Sequence, residues 1–277
     1  MIPKFSAAIL ALAMILLAGV SAAAEFATKE KEAALNEDIL ALPPDGTSVT
    51  PFIRKKGEQK WNQLAPVSVT GGKAVVSFPT DGFWELALRP KDAQPPLDSE
   101  PGDAVIIVDS VPPELEWAMS FPAVAGGTQL AIRYLARDLA LDAQPIQIDY
   151  STDGGAEWKN IVKDAQNTGQ YLWAVPKVSS ADAKIRITAR DRAGNTAVRE
   201  SSVFVIDSNP PAIKIISKQI LPDNRIELRF AASDDLTKVR RVRLCIKRDR
   251  ERAWAPAPLE TVEERIEDGF VRFGAPE

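Results

Sequence analysis

The sequence predicts an all-β chain assembled from tandem β-sandwich units. Three observations lead there: a repeat of about 97 residues, apolar residues that alternate with polar ones along short segments, and turn residues between those segments. Independent markers carry the repeat. Trp61, Trp158 and Trp254 close the similar stretches GEQKW, GAEW and ERAW, at spacings of 97 and 96 residues. DSVPP at 109–113 recurs as DSNPP at 207–211, and RYLARD at 133–138 recurs as RFAASD at 229–234. Gly72 and Pro79 find counterparts in Gly169 and Pro176. One offset shared by unrelated residue types marks duplication of a structural unit.

The pattern inside each copy is that of strands. Leu130, Ile132, Tyr134 and Ala136 alternate with polar neighbours, as do Ile226, Leu228, Phe230 and Ala232. The next strand reads Ile146, Ile148, Tyr150 in one copy, Val242, Leu244, Ile246 in another and Val49, Pro51, Ile53 in the first. Ile185 with Ile187, and Val203 with Val205, continue the pattern. A period of two puts each set on one sheet face, and short strands between Gly, Asp, Asn and Pro turns build a sandwich. Pro-Pro at each boundary supplies a short, stiff linker.

In chain order, residues 1–24 read as a Sec-type signal peptide: Lys4, the apolar run Ala7 to Val20, then Ala22-Ala23-Ala24 before Glu25, with cleavage after Ala24. The run is shorter than the roughly 20 residues that span a bilayer, so the mature chain is expected to carry no membrane span. Residues 25–44, with their Lys, Glu and Ala, read as a linker or short helix. Residues 45–111 form a partial sandwich without its opening strand, 112–209 a complete one and 210–277 a truncated one. In the last, Asp268-Gly269-Phe270 matches Asp81-Gly82-Phe83, and the final strand is missing. A sandwich without its last strand leaves an open edge. Either the sequence is a fragment, or another chain donates the strand.

ARDRAGN at 189–195, followed by VIDSNPP ending at Pro211, resembles the closing hairpin and linker of bacterial immunoglobulin-like and fibronectin type III-like repeats. The likeness covers about 113–211 well and 45–112 less well, where RPKDAQPPLD stands in for the hairpin. It implies extracellular β-sandwiches that need no disulfide. The recurring tryptophan departs from both patterns, because it follows the middle strand across a hairpin.

Composition excludes much chemistry. The 277 residues are 45% hydrophobic with net charge −4, which argues against disorder and against a nucleic-acid partner. One cysteine, Cys245, allows no internal disulfide. The absence of histidine removes the usual general base, every Ser-His or Cys-His nucleophile and the commonest zinc ligand.

Three candidate sites follow, each beside a structural reading. Ser151 to Trp158 resembles the Asp-box S-x-D-x-G-x-T-W, with Glu157 in place of threonine. Asp153, Gly155 and Trp158 then make a hairpin whose aspartate bonds turn amides and whose indole covers the turn. Asp191 and Asn195 of the DRAGN turn, bent at Gly194, with Asp207 and Asn209 of the linker, offer oxygen ligands for calcium. The same residues are ordinary turn formers, and no other cofactor is implied. Arg241, Arg243, Lys247 and Arg248 form a basic face for an anionic partner, or a face neutralised by Glu260, Glu263, Glu264, Glu267 and Asp268.

These readings converge on an exported, non-catalytic structural or interaction module of a bacterial cell envelope or extracellular protein, secreted or periplasmic, with a protein or cell-surface glycan as partner. The alternatives are a carbohydrate-binding module, which needs exposed aromatics on one face, and a carboxylate-based glycoside hydrolase, which needs paired acids in a cleft.

Overall fold

The computed structural model describes residues 23–117, 121, 123–223, 225–239, 241–247, 253–256, 259–262 and 268–274, and every regular element among them is a strand. Residues 1–22 of the expected signal peptide, with Arg248, Glu263, Glu264 and Glu267, lie outside the described residues. No helix long and apolar enough to cross a membrane occurs among those described.

The first sandwich comprises β1 (Ala24–Thr28), β2 (Glu32–Leu35), β3 (Ser48–Lys55), β4 (Asn62–Gln63), β5 (Val67–Ser68), β6 (Ala74–Ser77), β7 (Gly82–Pro90) and β8 (Ala104–Val108). Its larger sheet has the order β1-β8-β7-β3-β4, with β5 also on β3. β1 runs parallel to β8, and β2 pairs antiparallel with β6 in a separate two-stranded sheet. Leu35, Ile53, Val76, Phe78, Trp84, Leu86, Ile106 and Val108 interdigitate as one core.

The expected linker or helix at 25–44 is therefore corrected, and so is the missing opening strand. β1 and β2 are those opening strands. Helix propensity separates ordinary residues by only about 0.7 kcal/mol each, whereas a buried leucine contributes roughly 1.5–3 kcal/mol. Ala33 and Leu35, 1% and 0% exposed, fit a strand that alternates into the core.

The second sandwich repeats this plan with β9 (Glu114–Glu116), β10 (Ala123–Ala125), β11 (Gln129–Arg133), β12 (Leu135–Arg137), β13 (Leu141–Ser151), β14 (Lys159–Ala165), β15 (Gln170–Ala174), β16 (Ser180–Asp191), β17 (Thr196–Glu200) and β18 (Phe204–Asp207). The order β10-β18-β16-β13-β14 copies the first sheet strand for strand, including the parallel edge pair β10 and β18. The β2–β6 register Ala33↔Val76, Leu35↔Ala74 becomes Leu130↔Trp173, Ile132↔Tyr171 in β11–β15. All four positions move by the 97 residues that separate the hairpin tryptophans. Ile132, Ile146, Ile148, Trp173, Ile185, Ile187 and Ile206 are buried.

The third copy holds β19 (Ala212–Ile220), β20 (Arg225–Ser233), β21 (Cys245–Ile246), β22 (Ala255–Pro256), β23 (Leu259–Val262) and β24 (Asp268–Gly274). Its sheet runs β19-β20-β24-β23, and β21 pairs with β22. β24 pairs antiparallel with β20 as β15 does with β11 and β6 with β2, so Asp268–Gly274 corresponds to β6 and not to the Asp81-Gly82-Phe83 start of β7. A short Asp-Gly-Phe match marks a turn entering a strand; the partner strand decides which one. Val242 and Leu244 are half-buried in chain without a ladder.

The chain forms two compact units. One takes Met1–Glu114, Arg137–Pro145 and Ala189–Ala197; the other takes Leu115–Ala136, Ile146–Thr188 and Val198–Glu277.

Candidate functional site: acidic clusters and an open edge strand

Asp109, Asp138 and Asp191 meet in the first unit, one carboxylate oxygen of each lying within 4.8 Å of the others. Asp109 follows β8, where its N–H donates to the Thr28 carbonyl at 2.9 Å. Asp138 follows β12 and accepts the Ala140 N–H at 2.7 Å, the local turn bond that aspartate favours. Asp191 ends β16 and accepts the Asn195 N–H at 2.8 Å and its Nδ2–H at 2.7 Å. Asn195 Nδ2 also donates to the Asp109 carbonyl at 2.8 Å, which ties the hairpin to the DSVPP segment. Asp109 and Asp191 are each 1% exposed, and Asp138 is half-buried.

Asp109 is the unsettled member. Its Oδ1 accepts the Val111 N–H at 3.2 Å, but its buried Oδ2 has no hydrogen-bond donor. Burial pushes its carboxyl up to about 6, against the Val111 hydrogen bond, and the like charge of Asp138, a side-chain hydrogen bond with Asp138 and the like charge of Asp191 add to the rise.

A second cluster, Asp207, Asp234 and Asp235, stands at the repeat-related place in the other unit. It is internally satisfied. Thr237 Oγ1 lies 2.7 Å from Asp207 Oδ2 and 3.1 Å from Asp234 Oδ1, and the Thr237 N–H donates to Asp234 Oδ1 at 2.7 Å. Asn209 donates its N–H to Asp207 Oδ1 at 2.9 Å and its Nδ2–H to Asp235 Oδ2 at 2.9 Å. The Thr237 N–H, with help from the Leu236 N–H, holds the Asp234 carboxyl below the usual range. Asp207, Asp234, Thr237 and Arg241 line an open groove of roughly 450 Å³.

The four calcium candidates thus divide between two clusters, Asp191 and Asn195 in one, Asp207 and Asn209 in the other. Both asparagines point amide donors at carboxylates. The ligand-capable residues passed over were Asp109, Asp138, Asp234 and Asp235. Three of these sit in the segments that define the repeat, DSVPP, RYLARD and RFAASD, and that recurrence was the signal for them.

In the Asp-box hairpin the Ser151 hydroxyl donates to Asp153 Oδ1 at 2.6 Å, and Asp153 Oδ1 accepts the Glu157 N–H at 3.0 Å. Gly154 and Gly155 take φ of 75° and 104°, conformations that favour glycine. The Arg186 guanidinium stacks 4.2 Å over the Trp158 ring and pairs with buried Asp149 at 3.1 Å. The first sandwich holds the same arrangement with the charges exchanged between strands. Arg54 of β3 stacks 4.2 Å over Trp61 and pairs with Glu85 of β7, whereas Arg186 lies on the β7 counterpart and Asp149 on the β3 counterpart. Trp84 and Trp173 are buried, Trp61 and Trp117 half-buried, and Trp254 is 70% exposed.

Arg241, Arg243 and Lys247 are exposed. Cys245 is half-buried opposite Pro256. The more prominent open surface belongs to β19, all nine residues of which are exposed. Ile213, Ile215 and Ile220 lie opposite Ala232, Phe230 and Ile226 of β20 and so share their face. They are nevertheless 62%, 64% and 69% exposed, whereas Leu115, the repeat counterpart of Ile213, is 3% exposed.

No protein-family model matches the chain. A stretch of 102 residues is 33% identical to the AA9 family lytic polysaccharide monooxygenase A of Schizophyllum commune, over 32% of this chain and 41% of that protein. The chain therefore spans about two-fifths of that curated relative's length. Among solved structures, the chain is similar to the fibronectin(III)-like modules of Clostridium thermocellum CbhA, at 15% identity over 68% of this chain and 92% of that one, with a TM-score of 0.36. It is also similar to the three N-terminal domains of the bacteriophage RB49 outer capsid protein Hoc, at 10% identity over 90% and 84%, TM-score 0.36. A marsupial T cell receptor gives 8% identity over 92% and 91%, TM-score 0.36.

Proposed function

We propose that the chain is an exported, non-catalytic structural and interaction module that presents its β-sandwich repeats to a protein partner, with β19 as the strand the partner meets. The observation that carries this reading is the apolar row Ile213, Ile215 and Ile220, on the core-facing side of an edge strand yet largely in water. An edge strand offers unpaired N–H and C=O groups, and an extended segment of another protein adds to it through backbone bonds while its side chains cover the exposed row. Two features speak for a non-catalytic role. The chain has no histidine. Asp234, which lines the open groove, is held below the usual carboxylate range, away from the raised proton donor that glycoside hydrolysis needs.

A photo-cross-linking residue at position 215, compared with one at exposed Arg199, tests the reading in the cell that exports the protein. A discrete adduct from position 215 that disappears with Ile213→Lys is expected. Equal adducts from both positions, or none, would overturn it; an adduct of twice the chain mass would make the partner a second copy. Trp254, 70% exposed, favours one other reading, a carbohydrate-binding surface, in keeping with the partial likeness to a polysaccharide monooxygenase. Retardation in a polysaccharide gel that is lost with Trp254→Ala would select it.

A further inference from the structure

The two acidic clusters occupy equivalent places in the repeat. Asp109 corresponds to Asp207 and Asp138 to Asp234, at offsets of 98 and 96 residues. They are satisfied differently. In the second cluster the Thr237 hydroxyl stands between two carboxylates. The residue three places after Asp138 is Leu141, whose side chain has no donor to offer. The first cluster is left with a buried oxygen, Asp109 Oδ2, that has no hydrogen-bond partner among the described residues. A buried carboxylate without a donor or counter-charge is among the least favourable groups in a folded protein. Asp109 and Asp191, each 1% exposed, face the half-buried Asp138, and of the two buried acids Asp109 has an oxygen without a partner.

We propose that Asp109, Asp138 and Asp191 bind one calcium-type divalent cation, which does for this cluster what the Thr237 hydroxyl does for the other. Oxygens on one calcium ion lie 2.3–2.6 Å from it and so at most about 5 Å apart. One oxygen from each of the three carboxylates lies within 4.8 Å of the others, inside that limit. Three oxygen ligands without histidine or thiolate select a hard cation over zinc or copper. The short bridging contacts of Asn195 hold Asp191 and the Asp109 backbone in place without occupying Asp109 Oδ2. The ion would fasten the DSVPP segment to the β12 turn and the β16–β17 hairpin, all in the first compact unit.

The test uses the full exported chain, stripped of metal and titrated with calcium or magnesium by calorimetry, with thermal unfolding in calcium and in chelator. One site per chain is expected, with calcium preferred over magnesium and a midpoint that rises in calcium. Asp138→Asn, at the half-buried ligand, should weaken binding by about tenfold or more. Leu141→Thr restores the hydroxyl of the other cluster. It should raise the midpoint in chelator and shrink the calcium response, which a variant that merely unfolds would not do. Identical midpoints in calcium and chelator for the wild type would overturn the proposal, leaving a proton shared among the three acids. So would calcium binding untouched by both variants, which would place the ion elsewhere. Neither result bears on the β19 partner.

Discussion

Replacing Arg54 by alanine tests the account of the first sandwich most severely. Arg54 is 7% exposed. Its Nε donates to Glu85 Oε2 at 2.7 Å, Nη1 to the Gln59 and Asp98 carbonyls at 3.1 and 2.7 Å, and Nη2 to the Glu100 carbonyl at 2.8 Å. The same group covers Trp61, whose Nε1–H donates to the Leu97 carbonyl at 3.2 Å. One side chain thus joins β3, β7 and two loops. Breaking a buried ion pair on one side costs about 3–5 kcal/mol. Glu85 keeps 21% side-chain exposure, and water recovers part of the loss, so Arg54→Ala should cost about 3 kcal/mol. At roughly 2–4 °C per kcal/mol for a chain of this size, the midpoint falls by about 6–12 °C. Arg54→Lys keeps the charge but not the fork or the stack, and should recover less than half of the loss. Denaturant unfolding, with amide exchange read at residues 57–63 and 91–103, measures both. A loss below about 1 kcal/mol, with loop protection unchanged, would refute the idea that this cation organises the loops.

Two further outcomes follow from burial and titration. Trp173, 4% exposed and 5.2 Å from the Tyr150 ring, should cost about 3–5 kcal/mol on replacement by alanine; Trp254→Ala should stay within about 0.5 kcal/mol. Denaturant midpoints of the two variants decide between framework and surface. Asp81 accepts the Ser110 hydroxyl at 2.6 Å and its N–H at 3.1 Å, and these bonds hold its carboxyl below the usual range. A depressed carboxyl stabilises the fold above its unfolded pKa of about 3.9, and that contribution disappears as pH falls through the lower folded value. Asp81→Asn should therefore lose less stability than the wild type between about pH 5 and pH 2, as followed by acid unfolding.

Much of the fold was legible because burial writes a period into strands. Ile132, Ile146, Ile148, Ile185 and Ile187 fell on their expected inward faces, and the spacing of the hairpin tryptophans is the spacing of the ladder registers. The opening strands were not legible. In Glu32–Leu35 only two inward residues, Ala33 and Leu35, carry the period, and the surrounding Lys and Glu read as helix. Pairing with β6, some 40 residues away, decided the matter, and no local pattern reports a distant partner. The identity of β24 was lost for the same reason.

The acidic clusters show the other half of this limit. Repeat alignment brings Asp109 onto Asp207 and Asp138 onto Asp234 in the sequence alone, yet it says nothing of whether those carboxylates are charged, paired or dry. That depends on one later position. Thr237 places a hydroxyl between Asp207 and Asp234; Leu141, at the matching place, offers only carbon. The second and third copies therefore share a backbone arrangement that gathers acids at their start, and a single side chain decides whether the chain itself supplies a partner to them or leaves that to an ion. If the ion is that partner, Leu141 is no lapse in the repeat. It is the change that makes the first cluster depend on the surrounding cation concentration, while the second keeps its geometry without one.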